Sequence, residues 1–262
     1  MKPVRLHFDA CACIAPTGDV PAALLAAMDR MPRRAPTDQR AVCLAEHGED
    51  SFFLALAQDE FRLPGDRWRI VAWDPAGGVR IRHLPDHRDI WILAGRQLAC
   101  AEGLAVGALF VAEPMAAGRP ARDLVRAIAA AGGVAALAWI PGRWNAARKR
   151  LAQELVAEFP PAQLVLIDTA LRPRGWPEPR LYAAARRQGH AIVAGSTPLP
   201  AGAETFPAGT YHATLLLPPL ADPSRLVGPL KAALTAPAAR IAAGGRRGSA
   251  LAAFFRLRQP SP

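Results

Sequence analysis

Short runs of β-type residues alternate with helical segments along most of this 262-residue chain, and this alternation constrains the fold more than any other feature. The apolar runs Val4–Phe8, Ala41–Ala45, Val134–Trp139 and Gln163–Asp168 are each followed by a segment with helical character. Strands that alternate with helices predict a parallel sheet covered by helices, in a barrel or a doubly wound fold. No Gly-x-Gly-x-x-Gly motif follows the first strand, which argues against a dinucleotide-binding fold.

The other predicted elements continue this order. Two β-type runs flank Asp74-Pro75-Ala76-Gly77-Gly78, which predicts a β-hairpin. The tail after Leu226 is predicted to form a helix and then a segment rich in Gly, Arg and Pro. The remaining predicted strands are Trp68–Trp73, Val79–His83, Ile90–Leu98, Leu104–Val111, Ala191–Ala194 and Tyr211–Leu217, and the predicted helices are Val20–Met31, Asp50–Phe61, Ala121–Ala131, Trp144–Phe159 and Pro179–Gln188.

The chain carries a surplus of positive charge, because 32 Lys and Arg face 22 Asp and Glu and give a net charge of +10. Only Lys2, Lys149 and Lys231 are lysines, so arginine supplies nearly all of the basic residues. The arginines are spread along the whole chain without a basic stripe studded with aromatic residues, so nucleic acid is an alternative partner that is not favoured. A GC-rich genome produces the same arginine bias without any functional cause.

The same sequence gives no sign of export or of a membrane span. The chain reaches Asp9 before an apolar signal segment could form, and it holds no uninterrupted apolar run of about 18 residues. The four cysteines, Cys11, Cys13, Cys43 and Cys100, have neither the spacing of a disulfide framework nor that of a zinc site, and we interpret them as reduced thiols. A cytoplasmic protein is the expectation.

Polar residues stand at the ends of the predicted strands. In a β/α barrel the reactive groups gather at the carboxyl ends of the strands, so these residues are the candidates for a site. They are His7 and Asp9 after the first strand, Glu46 and His47 after the second, Arg96 and Gln97, Trp139, Asp168, and finally Ser196 and Thr197.

The order of these residues resembles that of the PHP superfamily, the polymerase and histidinol phosphatase group of metal-dependent phosphoesterases. Five short segments, within about residues 4–216, stand where that family has its motifs. They are His7-Phe8-Asp9 for His-x-His, Ala45-Glu46-His47 for Thr-Asp-His, Gly95-Arg96-Gln97 for Gly-x-Glu, Trp139-Ile140-Pro141 for His-Pro, and Ser196-Thr197-Pro198-Leu199 for Ser-Asp-Ala-His.

The resemblance implies a fold and a division of the chain. Residues 1–216 are expected to form a distorted TIM-like (β/α)7 barrel of the PHP type. Residues 217–262 are expected to add a C-terminal helix and a flexible basic tail outside the barrel. Glu46, Gln97, Trp139, Ser196, Thr197 and His212 are then expected to line the cavity at the barrel mouth.

The departures from the family pattern fall on the metal ligands. Gln97 is a poor bridge between metal ions, and the indole of Trp139 cannot ligate at all. A site with several metals needs several carboxylates and imidazoles. His7, Asp9 and His47, with Asp168 or His212 as additions, are left to hold no metal or a single weakly bound divalent ion. The alternative interpretation is that these side chains are only residual polar groups.

Loss of carboxylates and metals leaves basic groups at the strand ends without a counter-charge. Arg96, Arg143, Arg172 and Arg174 all lie just beyond predicted strand ends. The planar guanidinium suits phosphate and carboxylate groups, so these four are candidates for an anion site. The competing interpretation is that they are solvated side chains paired with Glu102, Glu113 or Glu178.

Two hypotheses about function follow. The first is a homologue of PHP phosphoesterases that is not catalytic, or only weakly so, and that binds an anionic small molecule or acts as a regulatory protein. The alternative is an active metal-dependent phosphoric ester hydrolase with a reduced metal site built from His7, Asp9 and His47.

Overall fold

The computed structural model describes residues 2–14, 19–33, 35, 37–48, 51–58, 62–197, 206–236 and 240–250. Within these ranges the strands are β1 Val4–Ala12, β2 Gln39–Leu44, β3 Trp68–Asp74, β4 Gly78–His83, β5 Arg88–Leu93, β6 Gly95–Ala99, β7 Ala105–Leu109, β8 Val134–Trp139, β9 Leu164–Thr169, β10 Ile192–Gly195, β11 Tyr211–Leu217 and β12 Ala242–Gly245. The helices are α1 Val20–Arg30, α2 Phe52–Ala57, α3 Ala121–Ala130, α4 Ala146–Glu158, α5 Arg180–Arg187 and α6 Val227–Thr235.

The strands form two sheets, and the predicted TIM-like (β/α)7 barrel is wrong. One sheet has seven strands in the order β12-β11-β1-β2-β5-β4-β3, and the other has five in the order β10-β9-β8-β7-β6. Over the described ranges neither sheet closes on itself. Of the strand pairs that the structure describes, four are parallel, namely β1–β2, β2–β5, β8–β9 and β9–β10, whereas a β/α barrel needs every neighbouring pair to be parallel.

The division between the sheets falls at Ala94. The stretch predicted as one strand over Ile90–Leu98 is split there into β5, in the larger sheet, and β6, in the smaller one. Ala94 itself donates its N–H to the Gly77 carbonyl and accepts from the Phe110 N–H instead of continuing a ladder. One continuous stretch of sequence therefore supplies a strand to each sheet.

Three apolar clusters hold the layers together. The first lies between the sheets and includes Phe8 of β1, Ile167 of β9 and Leu230 of α6. The second joins the outer face of the five-stranded sheet to α3, α4 and α5, and the third joins the outer face of the seven-stranded sheet to α1 and α2. Since successive side chains of a strand point to opposite faces, each central strand contributes to two of these layers.

Among the described residues, polar groups at strand ends form two of the contacts between the sheets, which we term the first and the second junction. At the first, the Thr197 N–H donates to the Cys11 carbonyl at 2.9 Å, which joins the end of β10 to β1. A Cβ added to Gly195 would lie 2.6 Å from Cys11 Sγ, so glycine is required for this approach. At the second junction Glu46 forms an isolated parallel bridge with Arg96. No helix among the described residues is long and apolar enough to cross a membrane.

Helix α6 is capped by a residue distant in sequence. Its first residues have no side-chain cap of their own. Instead Asp74, at the end of β3, accepts hydrogen bonds from the N–H groups of Leu226 and Val227, each at 2.8 Å. Asp74 is buried and carries a negative charge to the helix N-terminus, where the backbone dipole favours it.

We therefore expect the substitution Asp74→Ala to lower the free energy of unfolding by about 2–4 kcal/mol, because it leaves two buried N–H groups without an acceptor. Urea unfolding followed by circular dichroism measures this change. Asp222→Ala removes an exposed aspartate bonded to Ser224, and we expect it to cost less than about 1 kcal/mol. Equal losses in the two variants would contradict this account of the cap.

Candidate functional site

The carboxyl ends of β8, β9 and β10 meet at one edge of the five-stranded sheet, because these three strands are parallel. In open parallel sheets this edge is where ligands bind. Asp168 lies next to the end of β9 and is buried there. The chain turns immediately afterwards, since the Arg172 N–H donates to the Thr169 carbonyl. This turn brings the Arg172 side chain back onto Asp168.

Asp168 and Arg172 form a buried ion pair. The Arg172 Nε and Nη2 atoms donate to the two carboxylate oxygens at 2.7 and 2.8 Å, in the bidentate geometry that is strongest for this pair. The third nitrogen, Nη1, donates to the Trp176 carbonyl at 2.8 Å. The Arg172 guanidinium is therefore fully engaged, and its bond to Asp168 raises its pKa above the usual value.

A second arginine reaches the same carboxylate from the C-terminal segment. Arg247 Nη2 donates to Asp168 Oδ2 at 2.6 Å and to the hydroxyl of Tyr211, and its guanidinium lies 4.8 Å from the Tyr211 ring centroid. The Tyr211 hydroxyl also donates to Asp168 Oδ2, at 2.9 Å. Asp168, Arg172, Tyr211 and Arg247 form what we term the Asp168 cluster.

Backbone hydrogen bonds fix the segment that carries Arg247. The Arg246 N–H donates to the Thr210 carbonyl at 2.7 Å, and the Gly248 N–H donates to the Ala170 carbonyl at 2.8 Å. The Gly248 carbonyl in turn accepts from the Arg174 N–H at 2.9 Å. The exposed residues Arg174 and Arg246 are therefore held beside the Asp168 cluster.

The charges of the Asp168 cluster do not balance. Two guanidinium groups share one carboxylate, which leaves one positive charge in excess. The Arg247 side chain is 25% exposed, and its buried Nε has no hydrogen-bond partner among the described residues. Burial, together with the charge of Asp168, raises the pKa of Tyr211 to about 12, so its hydroxyl stays protonated and can donate to the carboxylate.

Asp9 and Ser196 form a buried polar contact that is linked to the Asp168 cluster through Tyr211. The Asp9 carboxylate accepts from the Ser196 N–H and Oγ–H at 2.8 and 2.5 Å, from the Gly209 N–H at 2.7 Å and from the Cys11 N–H at 3.2 Å. Ser196 Oγ accepts from the Tyr211 N–H at 3.2 Å. Both Asp9 oxygens are thus occupied by protein donors, and burial raises the pKa of Asp9 to about 6.

His7 and His212 lie side by side on β1 and β11. Their ring centroids are 5.5 Å apart in an edge-to-face arrangement, and His7 Nδ1 is 3.1 Å from Thr214 Oγ1. His212 Nδ1 is 3.2 Å from the Gly209 carbonyl. Burial, and next the charge of His212, lowers the pKa of His7 to about 4, while burial also lowers the pKa of His212.

The other strand-end residues are placed elsewhere. Arg96 is buried at the second junction, where it donates to the carbonyls of Gly48 and Ala112 at 2.9 and 3.4 Å. Glu46 accepts there from the Ser51 hydroxyl and the Phe53 N–H, and its backbone carbonyl accepts from the N–H of half-buried Gln97 at 2.8 Å. His47, also half-buried, follows Glu46 in the chain. Trp139 packs on the face of the small sheet that the helices cover.

The structure thus brings Asp9, Asp168, Arg172, Ser196 and Thr197 to the first junction and leaves Arg96, Gln97 and Glu46 at the second. Arg174 is exposed beside the first junction, and Arg143 is exposed in the turn after β8. Within the described part of the chain, no three His, Cys, Asp or Glu side chains are grouped so that they could hold a metal ion. Leu199 and Pro198 lie outside the described residues.

Sequence reasoning missed two members of the cluster. Tyr211 begins β11, where a predicted strand gives no reason to single out its first residue. Arg247 lies in the basic tail, and the pair Arg246-Arg247 after two glycines was its only signal. The separations of Tyr211 and Arg247 from Asp168, 43 and 79 positions, explain why no local pattern joins them.

The buried histidine pair makes stability depend on pH. The pKa of His7 is about 4 in the folded chain, against an ordinary value of 6.5. Between these two pH values the unfolded chain therefore binds a proton at His7 that the folded chain does not bind. The contribution of His7 therefore lowers the free energy of unfolding as pH falls from 6.5 through 4, by up to about 3 kcal/mol.

Between pH 7 and 4.5 we expect the free energy of unfolding to fall less in the His7→Gln variant than in the unsubstituted chain.

Urea unfolding at both pH values measures this difference. His87→Gln replaces an exposed histidine and serves as the control, which should keep the pH dependence of the unsubstituted chain. Parallel pH profiles for the His7 variant and the unsubstituted chain would show that His7 is not responsible.

Comparison with known proteins supports the fold alone. No family model matches the chain and no curated protein matches it, so neither membership of the PHP superfamily nor hydrolase activity gains support. Among solved structures, the chain is similar to PsfC from Pseudomonas syringae PB-5123, with a TM-score of 0.54 and 17% sequence identity over 98% of this chain and 95% of that one. At this identity the similarity concerns the arrangement of the two sheets and their helices.

Proposed function

We propose that this chain binds an anionic small molecule, with a phosphate or carboxylate group, at the Asp168 cluster. The observation that carries the proposal is the state of Arg247. Its guanidinium is held in place by Asp168 and Tyr211, yet the side chain stays 25% exposed and its Nε has no partner among the described residues.

The surroundings of Arg247 favour an anion. A partly buried charge is costly unless it is paired, and Asp168 is already neutralised by Arg172. Arg174 and Arg246 are exposed beside Arg247. Glu178, the acidic residue of the loop that follows β9, is already paired with Arg186 at 2.6 Å. An incoming oxyanion would therefore meet several cations and supply the charge that the cluster lacks.

The cluster is better suited to hold a ligand than to transfer protons. Tyr211 stays protonated because its pKa is raised to about 12, and the Asp168 oxygens accept from three side chains. A general base needs a free lone pair and a pKa near the working pH. Binding without catalysis, as in a regulatory protein or a carrier, is the function that this arrangement supports best.

Isothermal titration with inorganic phosphate tests the proposal. Each charge-assisted hydrogen bond contributes roughly 1.5–3 kcal/mol, so two bonds less the ordering cost give a Kd on the order of micromolar to millimolar. We expect Arg247→Gln to weaken binding at least about tenfold, because it removes the surplus charge and its donors. Affinity should also fall as salt is raised.

Arg143→Gln is the matched control, since it removes the same charge from an exposed residue outside the cluster. We expect it to bind phosphate as the unsubstituted chain does. No measurable binding by the unsubstituted chain, or equal loss in both variants, would overturn the proposal. Circular dichroism of each variant shows whether a loss of binding comes from misfolding.

A further inference from the structure

A groove opens where β12 stops short along β11. β12 pairs with β11 only from Tyr211 to Thr214, although β11 continues to Leu217. Arg240 and Ile241, which precede β12, do not extend this pairing. The space beside the end of β11 is a cavity of about 560 Å³, within the usual range for small-molecule sites.

The walls of this groove are mainly apolar and its charged groups are all basic. Leu216 is 65% exposed there, and Ala233 and Ala236 at the end of α6 form the opposite wall. Among the described residues that line the groove, the charged ones are Arg5 and Arg240. A small apolar groove with guanidinium groups at its edge fits a molecule with an apolar body and an anionic head.

Neither arginine is neutralised at close range. Arg5 Nη1 lies 4.0 Å from the carboxylate of Asp38, which is beyond hydrogen-bond distance, and the Arg5 side chain is 41% exposed. Arg240 makes no ion pair with a carboxylate of the residues that the structure describes. Both can therefore take an external carboxylate without first breaking a strong bond.

We propose that this groove binds a medium-chain carboxylic acid, with the acyl chain against Leu216 and α6 and the carboxylate at Arg5 and Arg240. The site is separate from the Asp168 cluster and does not depend on the function proposed for it. An extended acidic peptide added to the edge of β11 is the competing occupant. In the described part of the chain, the stretch of that edge without a partner strand is Leu215–Leu217, which is shorter than the usual strand of five or six residues, so the acid is favoured.

Titration with decanoate, below its micelle concentration, tests the assignment. Two further probes separate the parts of the ligand, since 1-decanol has the chain without the charge and acetate has the charge without the chain. We expect decanoate to bind at least about tenfold more tightly than either, because only decanoate uses both the apolar wall and the arginines.

Variants locate the binding. Arg240→Gln should weaken decanoate binding about tenfold and leave 1-decanol unchanged, and Ala236→Trp should block both by filling the groove. Arg247→Gln should keep decanoate binding, which separates this test from that of the Asp168 cluster. Failure of the unsubstituted chain to bind decanoate, or equal binding by Arg240→Gln, would overturn the proposal. Binding of an acidic peptide in place of decanoate would overturn it in favour of strand addition.

Discussion

The Asp9 carboxylate is the interaction on which the rest of the first junction depends. It is fully buried and accepts hydrogen bonds from Ser196 at the end of β10, from Gly209 before β11 and from Cys11 in its own strand. A charge taken out of water is tolerated only when donors surround it, and here the backbone supplies most of them. One side chain thereby fixes three segments from distant parts of the sequence.

The contacts continue from Asp9 to the surface. Ser196 bonds both Asp9 and the Tyr211 N–H, Tyr211 bonds Asp168, and Asp168 holds Arg172 and Arg247. Each group is thus oriented by the one before it, and only the last, Arg247, is partly open to solvent. Networks of this kind hold a binding group in one position, so less conformational entropy is lost when a ligand binds.

The sequence predicted the elements better than their assembly. Most strands and helices lie close to their predicted positions, because their apolar periodicity is local. The barrel was wrong because β3–β4–β5 and β6–β7–β8 are antiparallel, and the run through Ala94 gave no sign that it serves two sheets. The expectation that functional groups lie at the carboxyl ends of strands identified Asp168, Arg172 and Ser196. It could not find Tyr211 or Arg247, whose roles depend on long-range packing.

The distance along the chain between Asp168 and Arg247 also bears on how the protein is made. Arg172 is four residues from Asp168 and can neutralise it as soon as β9 forms, whereas Arg247 lies 79 positions away. The ribosome extends a chain from its N-terminus at about 5–20 residues per second. Arg172 therefore becomes available to the carboxylate several seconds of synthesis before Arg247, and the cluster gains its surplus positive charge only when the later segment joins it.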